Sequence, residues 1–505
     1  MLPFAAPHQT GSSHAATTPL RTGLLITALL AGTSALPTAV FAQAVVPAVA
    51  PVAAGTSATV RQNTRLNAAR ARNERGAQQG KARPPESSQG QVTNANANAP
   101  TAGIFPFIPP FFTKFPGGEP LSVDTRGISF AAPDDSVKFR IGGRYQYDFS
   151  SVSVSPRVSA ILPTDNDSRR AFFESYLTLN NGILVGFQYD FANVAQPIQD
   201  AVVAYHDPHN PVVVSVGNFK EPLSLNQLIS DNNTTFLERS QMDGLVPARN
   251  FGGAIGVAGD RWTAVGGVFG GNANASVGPG NNGIAGTARV TYAPIMEKNQ
   301  LLHVGVAGSY RALDANGLVP SFSSRPEDFL ERALVTTGAL RNSDDIARVN
   351  GEVLYQYGSY RIQGEYTYAN VGGRNGQVDR NFQGGYVEGA WVVNGAGRPY
   401  RLVAPYGSEF AVLQGVQVDE SQRISNGGFG VFEVAARYSA LDLETRGVRG
   451  GSEQDVTAGL GWYPDRNIRG LFNYVHAWAS PAAFSVAAGR NVESDAVVGR
   501  LQVYW

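Results

Sequence analysis

The stretch Val137-Lys-Phe-Arg-Ile-Gly-Gly-Arg-Tyr-Gln-Tyr-Asp-Phe149 decides the fold class of this chain. Its odd-numbered positions are apolar or aromatic apart from Gly143, and its even-numbered positions are charged or polar apart from Gly142. This period of two is that of a β-strand with one apolar face. The length of 13 residues exceeds the usual five or six of a strand in a soluble protein, whereas a tilted membrane strand needs about ten. The stretch therefore predicts a strand of a transmembrane barrel.

Alternating segments of this kind recur to the end of the chain. Segments 347–357 and 360–368 are joined at Gly358-Ser359, and their tyrosines gather near the strand ends, as they do at the two interfaces of a membrane. The predicted fold class is therefore all-β, a transmembrane antiparallel β-barrel of sixteen strands. We predict these strands near 137–149, 170–180, 183–193, 199–206, 211–220, 250–259, 261–270, 283–293, 301–311, 346–357, 359–370, 382–393, 431–443, 453–463, 467–478 and 494–505.

The connections between the predicted strands differ in length in the way that short periplasmic turns and longer outer loops do. With the first strand leaving the periplasm, the even-numbered connections should be short, and 180–182, 207–211, 259–260 and 358–359 are. The long connections 221–249 and 312–345 fall on the outer side. Segment 394–430 is an exception, because it is long and falls on the periplasmic side. Either that turn is elaborated or the strand count is wrong by two.

The composition excludes several classes of protein. Charged residues make up 16% of the 505 residues, against roughly 25% in an average soluble domain, and no cysteine is present for disulfides or thiolate metal sites. Residues 1–100 carry eight basic and two acidic side chains, which leaves 32 basic and 38 acidic for the rest. Nucleic acid is therefore not an expected partner of the barrel.

The N-terminal 116 residues read as two segments that precede the barrel, which we place at 117–505. Residues 1–42 have the features of a signal peptide: Arg21, an apolar core at 23–31, and small residues before Gln43. A cleavage site two residues later and an ordinary buried helix are the alternatives. Residues 43–116 are of low complexity, and at 43–100 are rich in Ala, Pro, Gln, Asn and Arg, so we expect a disordered periplasmic extension.

The chain ends on Gly499-Arg-Leu-Gln-Val-Tyr-Trp505, in which Leu501, Val503 and Trp505 share one face. Outer-membrane barrels end in this way because the barrel-assembly machinery recognises an amphipathic last strand with a terminal aromatic residue. We therefore expect that machinery to be a partner through Trp505.

Several segments together resemble one family, the phosphate-selective porins O and P. The strand 431–438 looks like the family's late W-E-L-A-A-R-Y strand, with Phe432 in place of its Trp, and the likeness spans about 120–505. The other matching segments are Gly217-Asn-Phe-Lys-Glu-Pro-Leu-Ser-Leu-Asn-Gln-Leu228, Thr235-Phe-Leu-Glu-Arg-Ser240, Arg249-Asn-Phe-Gly252, Asp200-Ala-Val-Val-Ala-Tyr205 and Gly397-Arg-Pro-Tyr400.

The resemblance implies a homotrimeric porin of the bacterial outer membrane, embedded in the lipid bilayer. It also implies that the third outer loop, at 221–249, folds into the lumen, and that basic side chains lining the pore attract phosphate. Physically, guanidinium groups in a narrow pore can replace the hydration shell of an anion with charge-assisted hydrogen bonds. The expected function is passive uptake of small anions, with phosphate or polyphosphate as the leading candidate.

Alternation places a set of basic side chains on the lumen face, and Lys220 and Arg239 fall on or beside the third outer loop. Acidic side chains share these faces, so the arginines could instead pair with glutamates across neighbouring strands and merely keep the wall polar. The candidate anion contacts are Lys138, Arg140, Arg144, Arg170, Lys220, Arg239, Arg311, Arg348, Arg361 and Arg437.

An enzyme is not expected. The histidines have no metal-ligand spacing, no glycine-rich phosphate loop precedes a helix, and we expect neither a metal nor a cofactor. Two other functions stay open at this point. One is a porin for general or other solutes without phosphate selectivity, and the other is a non-conducting barrel that contacts partners through the long outer connection 312–345.

Overall fold

The computed structural model describes residues 121–505, apart from 125–126, 133, 135, 159–160, 162, 180–181, 208, 275–282, 315–316, 484, 486 and 488. The predicted signal peptide (1–42) and low-complexity extension (43–116) lie outside the described residues.

The described part of the chain contains the sixteen predicted barrel strands, which we number in chain order. Their alternating residues place apolar side chains on one face of the sheet and polar side chains on the other. The strands are β1 (Val137–Ser155), β2 (Thr164–Leu179), β3 (Ile183–Asp190), β4 (Ile198–His206), β5 (Val212–Lys220), β6 (Arg249–Ala258), β7 (Trp262–Phe269), β8 (Ile284–Glu297), β9 (Gln300–Ala312), β10 (Ser343–Tyr357), β11 (Tyr360–Gly373), β12 (Arg380–Val392), β13 (Val431–Thr445), β14 (Val448–Asp465), β15 (Ile468–Pro481) and β16 (Val492–Tyr504).

The sheet closes on itself into a barrel. Every strand pairs antiparallel with the next, and β16 pairs with β1 in a register that runs from Glu493 opposite Ser155 to Tyr504 opposite Arg144. Closure gives the strands hydrogen-bond partners on both sides, which a bilayer requires because it offers no water to the backbone. The prediction of a closed sixteen-stranded antiparallel barrel is confirmed.

The two faces of the wall have the polarity of a barrel in a membrane. On β10, Val349 is 56% exposed on the outside, whereas the next residue, Asn350, is fully buried in the lumen. Aromatic side chains lie at the ends of the strands, and Tyr360 stacks on Trp391 with ring centroids 5.5 Å apart. An apolar exterior bounded by aromatic rings matches the hydrocarbon layer and its interfaces.

The structure explains the one long connection that the sequence placed on the periplasmic side. Turns of two residues join β8 to β9, β10 to β11 and β14 to β15 at the periplasmic end. Residues 393–430, between β12 and β13, form an elaborated periplasmic connection, so the strand count was right. This segment, here called the periplasmic insert, contains a strand pair (Tyr400–Arg401 with Val412–Leu413) and two 3₁₀ turns (Glu420–Gln422 and Ile424–Asn426).

Two outer connections also carry structure of their own. Residues 221–248, the constriction loop, include a short α-helix (Leu225–Leu228) and a 3₁₀ helix (Gln241–Leu245). Residues 313–342, the fifth outer loop, include a hairpin of Val319–Ser324 with Val335–Leu340. No helix in the described ranges is long and apolar enough to cross a membrane.

A hairpin that the sequence pattern did not predict precedes the barrel. Its strands are Leu121–Asp124 and Gly127–Ala131, and the second pairs with the beginning of β1, where Ile128 lies opposite Ile141. The end of the chain reaches β1 only from Gly143 onward, where Trp505 exchanges two backbone hydrogen bonds with Gly143. The hairpin therefore covers the part of the β1 edge that the last strand does not reach, and it removes an exposed sheet edge.

We expect Gly217→Ala to impair folding of the barrel. Gly217 has φ +140°, and a Cβ there would lie 2.1 Å from the carbonyl oxygen of Ala201 on the neighbouring strand. A non-glycine residue in this backbone region costs of order 1–3 kcal/mol before the clash is counted. The fraction of folded barrel can be read from the heat-dependent shift in electrophoretic mobility. Gly286→Ala is the control, because a Cβ there has no atom within 4 Å, and equal folded fractions for the two variants would contradict the argument.

Candidate functional site

Three segments enter the lumen of the barrel: the constriction loop, the fifth outer loop and the periplasmic insert. The constriction loop is anchored first by its short helix. The amide of Leu225 donates to Glu352 (3.1 Å) and to Glu365 (3.0 Å), and the amide of Asn226 donates to Glu365 (2.6 Å). Carboxylates of the wall therefore satisfy backbone groups that the first turn of a helix leaves free.

Arginines of the wall hold the rest of the constriction loop through its carbonyl groups. Arg469 donates to the carbonyl of Asp231 (2.7 Å), Arg500 to that of Leu237 (2.6 Å), and Arg437 to that of Glu238 (3.0 Å). A guanidinium group has five donors in a fixed plane, so one side chain can bind both a loop carbonyl and an acid. The predicted inward fold of the third outer loop is confirmed, and arginines of the wall are what fixes it.

The periplasmic insert enters the lumen from the opposite end. The ammonium group of Lys220 lies 2.8 Å from the Glu409 carboxylate, and Arg289 donates to the carbonyl of Phe410 (2.6 Å). The Phe410 ring packs directly against Gly256, where a Cβ would lie 2.3 Å from it. Glycine at this wall position therefore makes room for the insert.

Seven of the ten predicted anion contacts pair with a carboxylate that belongs to the described residues, which agrees with the alternative that the arginines bind acids. Their pairs reach both the wall and the inward loops, so they do more than join neighbouring strands. The sequence neighbours Lys220 and Glu221, and likewise Glu238 and Arg239, bind other partners. The observed pairs are Arg144–Glu174 (3.1 Å), Arg170–Asp231 (3.4 Å), Lys220–Glu409 (2.8 Å), Arg239–Asp231 (2.9 Å), Arg311–Glu221 (2.6 Å), Arg361–Glu388 (2.8 Å) and Arg437–Glu327.

The other three candidates are Lys138, Arg140 and Arg348. Lys138 and Arg140 lie at the periplasmic end of β1, and the Arg140 guanidinium lies 4.4 Å from the centre of the Tyr176 ring. Arg348 lies on β10 and is 8% exposed, and its Nε and Nη1 atoms have no hydrogen-bond partner among the described residues. The Arg348 guanidinium lies 5.9 Å from the centre of the Phe322 ring.

A cavity of about 670 Å³ lies in the periplasmic half of the lumen, between the wall, the constriction loop and the periplasmic insert. Basic side chains outnumber acidic ones on its surface, so its potential is positive. The basic residues are Lys138, Arg140, Arg144, Lys220, Arg249 and Arg401, and the acidic ones are Glu174, Asp200, Asp231 and Glu409.

A second gap separates the constriction loop from the wall on the side of β11–β13. Its volume is about 10 Å³, close to the minimum that holds one water molecule. Arg239, Arg361, Arg398 and Arg437 line it together with Glu238 and Glu388. The structure therefore brings three of the predicted anion contacts, Arg239, Arg361 and Arg437, to one narrow place.

The sequence analysis missed several charged residues of the lumen. Arg289 binds Glu352 through three hydrogen bonds, the shortest 2.6 Å, and its position between Thr287 and Thr291 on the polar face of β8 could have revealed it. Arg398 pairs with Glu433 at 2.6 Å. It lies in the insert, where no strand alternation indicates which way a side chain points.

The fifth outer loop places three carboxyl groups, those of Glu327, Asp328 and Glu331, against the wall. Asp328 accepts a hydrogen bond from Ser150, and Glu331 accepts one from Ser494 (2.9 Å). Burial raises the pKa of Glu331 to about 8, to which the charge of Asp328 contributes, and burial raises the pKa of Asp328 to about 6. Docking of the loop therefore shifts both carboxyl groups toward their protonated forms.

The fold and the lumen define the class of this protein. A closed sixteen-stranded barrel with an apolar exterior, a polar lumen and an outer loop folded into it is an outer-membrane porin. The family model of the phosphate-selective porins O and P matches residues 139–505, and the chain belongs to this family. The protein is therefore a porin of the bacterial outer membrane, a channel rather than an enzyme.

Individual proteins are also similar to this chain. The chain is 27% identical over 375 residues to an uncharacterized protein of Caulobacter vibrioides, covering 71% of this chain and 72% of that one. It is 24% identical over 401 residues to Porin O of Pseudomonas aeruginosa, covering 71% and 87%. Among solved structures, an anion-selective porin from Comamonas acidovorans is similar at 12% identity and a TM-score of 0.46, covering 73% and 100%.

We expect docking of the fifth outer loop to weaken as the pH rises. Docking raises the pKa of the Glu331 carboxyl to about 8. Below the ordinary pKa of a carboxyl, the protonated group leaves the docked loop at full stability. This stability is lost as the pH rises through the pKa of the docked state. A spin label on Ala333→Cys should therefore become more mobile between about pH 6 and about pH 9. Because the chain has no native cysteine, the label reports one position.

Two controls isolate the contribution of Glu331. A label on Val194→Cys, an exposed position in the outer connection between β3 and β4, should change little over the same range. Adding Glu331→Gln, which cannot ionise, should remove most of the pH dependence at position 333. A label whose mobility at Ala333→Cys rises equally with and without Glu331→Gln would show that this carboxyl does not control docking.

Proposed function

We propose that this porin conducts small anions, with phosphate or polyphosphate as the leading candidate. The observation that carries the proposal is the buried guanidinium group of Arg348 in the lumen wall. Its Nε and Nη1 atoms have no hydrogen-bond partner among the described residues. A buried polar group without a partner costs free energy, and the cost is greater for a charged one. An anion that reaches Arg348 would remove this cost by accepting the free hydrogen bonds.

The surroundings of Arg348 leave its charge in excess. The charged groups that act on it are Arg311 and Glu221. The Glu221 carboxylate already accepts hydrogen bonds from Arg311 (2.6 Å), Asn250 (2.6 Å) and Thr287 (2.6 Å). Two arginines therefore share one saturated acid, and the local net charge is +1. This arrangement supports attraction of an anion without binding so tight that the ion could not leave.

The rest of the lumen supports the same function. The positive cavity at the periplasmic end would receive anions that pass the constriction, and Lys138, Arg140 and Arg144 are candidate contacts there. The guanidinium groups of Arg239 and Arg361, which are paired with carboxylates, can exchange a carboxylate for phosphate, since both ligands accept the same bidentate hydrogen bonds.

Other features of the protein belong to the same proposal. As in the trimeric form of a Vibrio cholerae OmpT that this fold resembles, we propose assembly as a homotrimer. Insertion by the barrel-assembly machinery would use the last strand, which ends at Trp505. Export would use the signal peptide at residues 1–42, and residues 43–116 would extend into the periplasm.

The experiment that tests the function is reconstitution of the purified protein in a planar bilayer. The reversal potential across a potassium chloride gradient is measured with and without added inorganic phosphate. Anion selectivity, with chloride current blocked by low phosphate, is the expected result. Cation selectivity, or indifference to phosphate, would leave a porin for other solutes, and the absence of any conductance would favour a non-conducting surface barrel.

We expect Arg348→Gln to lower the ratio of chloride to potassium permeability about twofold or more, because it removes the uncompensated charge of the wall. The matched control is Arg341→Gln, which removes an exposed arginine of the fifth outer loop. Reversal potentials in the same gradient compare the two. If Arg341→Gln changes selectivity as much as Arg348→Gln, general surface charge and not Arg348 attracts the anions.

A further inference from the structure

One carboxylate of the fifth outer loop, that of Glu327, is bound in the way that a free anion would be. It accepts hydrogen bonds from Nε (3.1 Å) and Nη2 of Arg437 on β13, from the hydroxyl of Ser439 on the same strand, and from the hydroxyl of Thr457 (2.5 Å) on β14. All three donor residues are buried. A guanidinium group and two hydroxyl groups that converge on one pair of oxygens form an oxyanion-binding site.

The donors are held in place independently of Glu327. The Arg437 guanidinium lies 4.3 Å from the centre of the Phe236 ring of the constriction loop and donates to the Glu238 carbonyl at 3.0 Å. Ser439 and Thr457 are fixed in adjacent strands, where Thr457 lies directly opposite Arg437. Departure of the Glu327 carboxylate would therefore leave a preformed site for another oxyanion.

Glu327 itself is held under strain. Its φ is +41°, in the left-handed region that L-residues other than glycine avoid. The acids that face it are Glu453 and Asp455 on β14, with Gln241 donating to Glu453 (3.2 Å) and to Asp455. Glu388 on β12 lies 3.8 Å from Arg437. Backbone strain acts against the docked carboxylate, so a competing oxyanion can displace it.

We propose that Glu327 is a tethered competitor, and that inorganic phosphate displaces it from the Arg437–Ser439–Thr457 site and so undocks the fifth outer loop. This inference rests on the proposed anion channel and adds its regulation: the loop covers the site when phosphate is scarce and yields it when phosphate is present. Glu327 competes for the same donors, which keeps phosphate binding weak and reversible, as conduction requires.

Competition by Glu327 should lower the apparent affinity of the site for phosphate. A ligand that must wait for a site to become vacant binds with an apparent affinity reduced by the vacant fraction. If Glu327 occupies the site for about nine-tenths of the time, removing its charge should lower the half-effective phosphate concentration roughly tenfold. Glu327→Gln is the suitable change, because it keeps the shape of the side chain and removes the charge.

Hydrogen–deuterium exchange on the full-length wild-type protein in detergent tests the displacement directly. Addition of inorganic phosphate should increase exchange in residues 325–334, whereas potassium chloride at the same ionic strength should not. Glu327→Gln should show the increased exchange at lower phosphate or without it. Glu493→Gln removes a carboxylate at the outer end of β16 on the outer face of the barrel, and it should behave as the wild type does.

Unchanged exchange of residues 325–334 in phosphate would overturn the proposal, whatever the variants do. The reversal potential of the wild-type channel then distinguishes failure of the displacement of Glu327 from failure of the proposed anion conduction. If the channel is anion-selective but exchange is unchanged, phosphate does not displace Glu327, and the proposed anion conduction is still supported. A cation-selective channel means that the anion function is wrong, and the tether falls with it.

Discussion

Hydrogen bonds from wall arginines to the constriction loop are the contacts on which the lumen depends. Arg469, Arg500 and Arg437 each donate to a loop carbonyl at 2.6–3.0 Å. These arginines are buried, so each broken contact would leave a charge and a carbonyl without a partner. The same guanidinium groups carry the positive charge of the pore. Structural support and attraction of anions are thus properties of the same side chains, which limits how far either can change alone.

The wall of the barrel could be predicted from the sequence because a membrane strand obeys a simple rule. Residues such as Val349 and Asn350 alternate between lipid and lumen, so every barrel strand was located, with ends that differ from the observed ones by six residues at most. The inward course of residues 221–248 was implied by family motifs, and not by alternation. The hairpin before β1 was missed, since its strands are only four and five residues long.

The partners of the charged groups could not be predicted in the same way. Alternation correctly places Arg311 and Arg361 on the lumen face. It cannot show that Arg311 binds Glu221 while Arg348, on the adjacent strand, binds no acid among the described residues. Those partners come from loops, and a loop has no period from which the direction of a side chain can be read. The difference between a pore-lining cation and a structural one is therefore set by contacts distant in sequence.

The periplasmic insert has a consequence for the order of assembly. It leaves the wall after β12, yet Glu409 and Phe410 contact residues of β5, β6 and β8 on the far side of the barrel. Such contacts close loops of well over a hundred residues, which is entropically slow, and they need opposing walls to be already in place. The chain therefore passes through a wide, water-filled cylinder before its interior is packed, and the narrow passage of the mature protein is the last part to form.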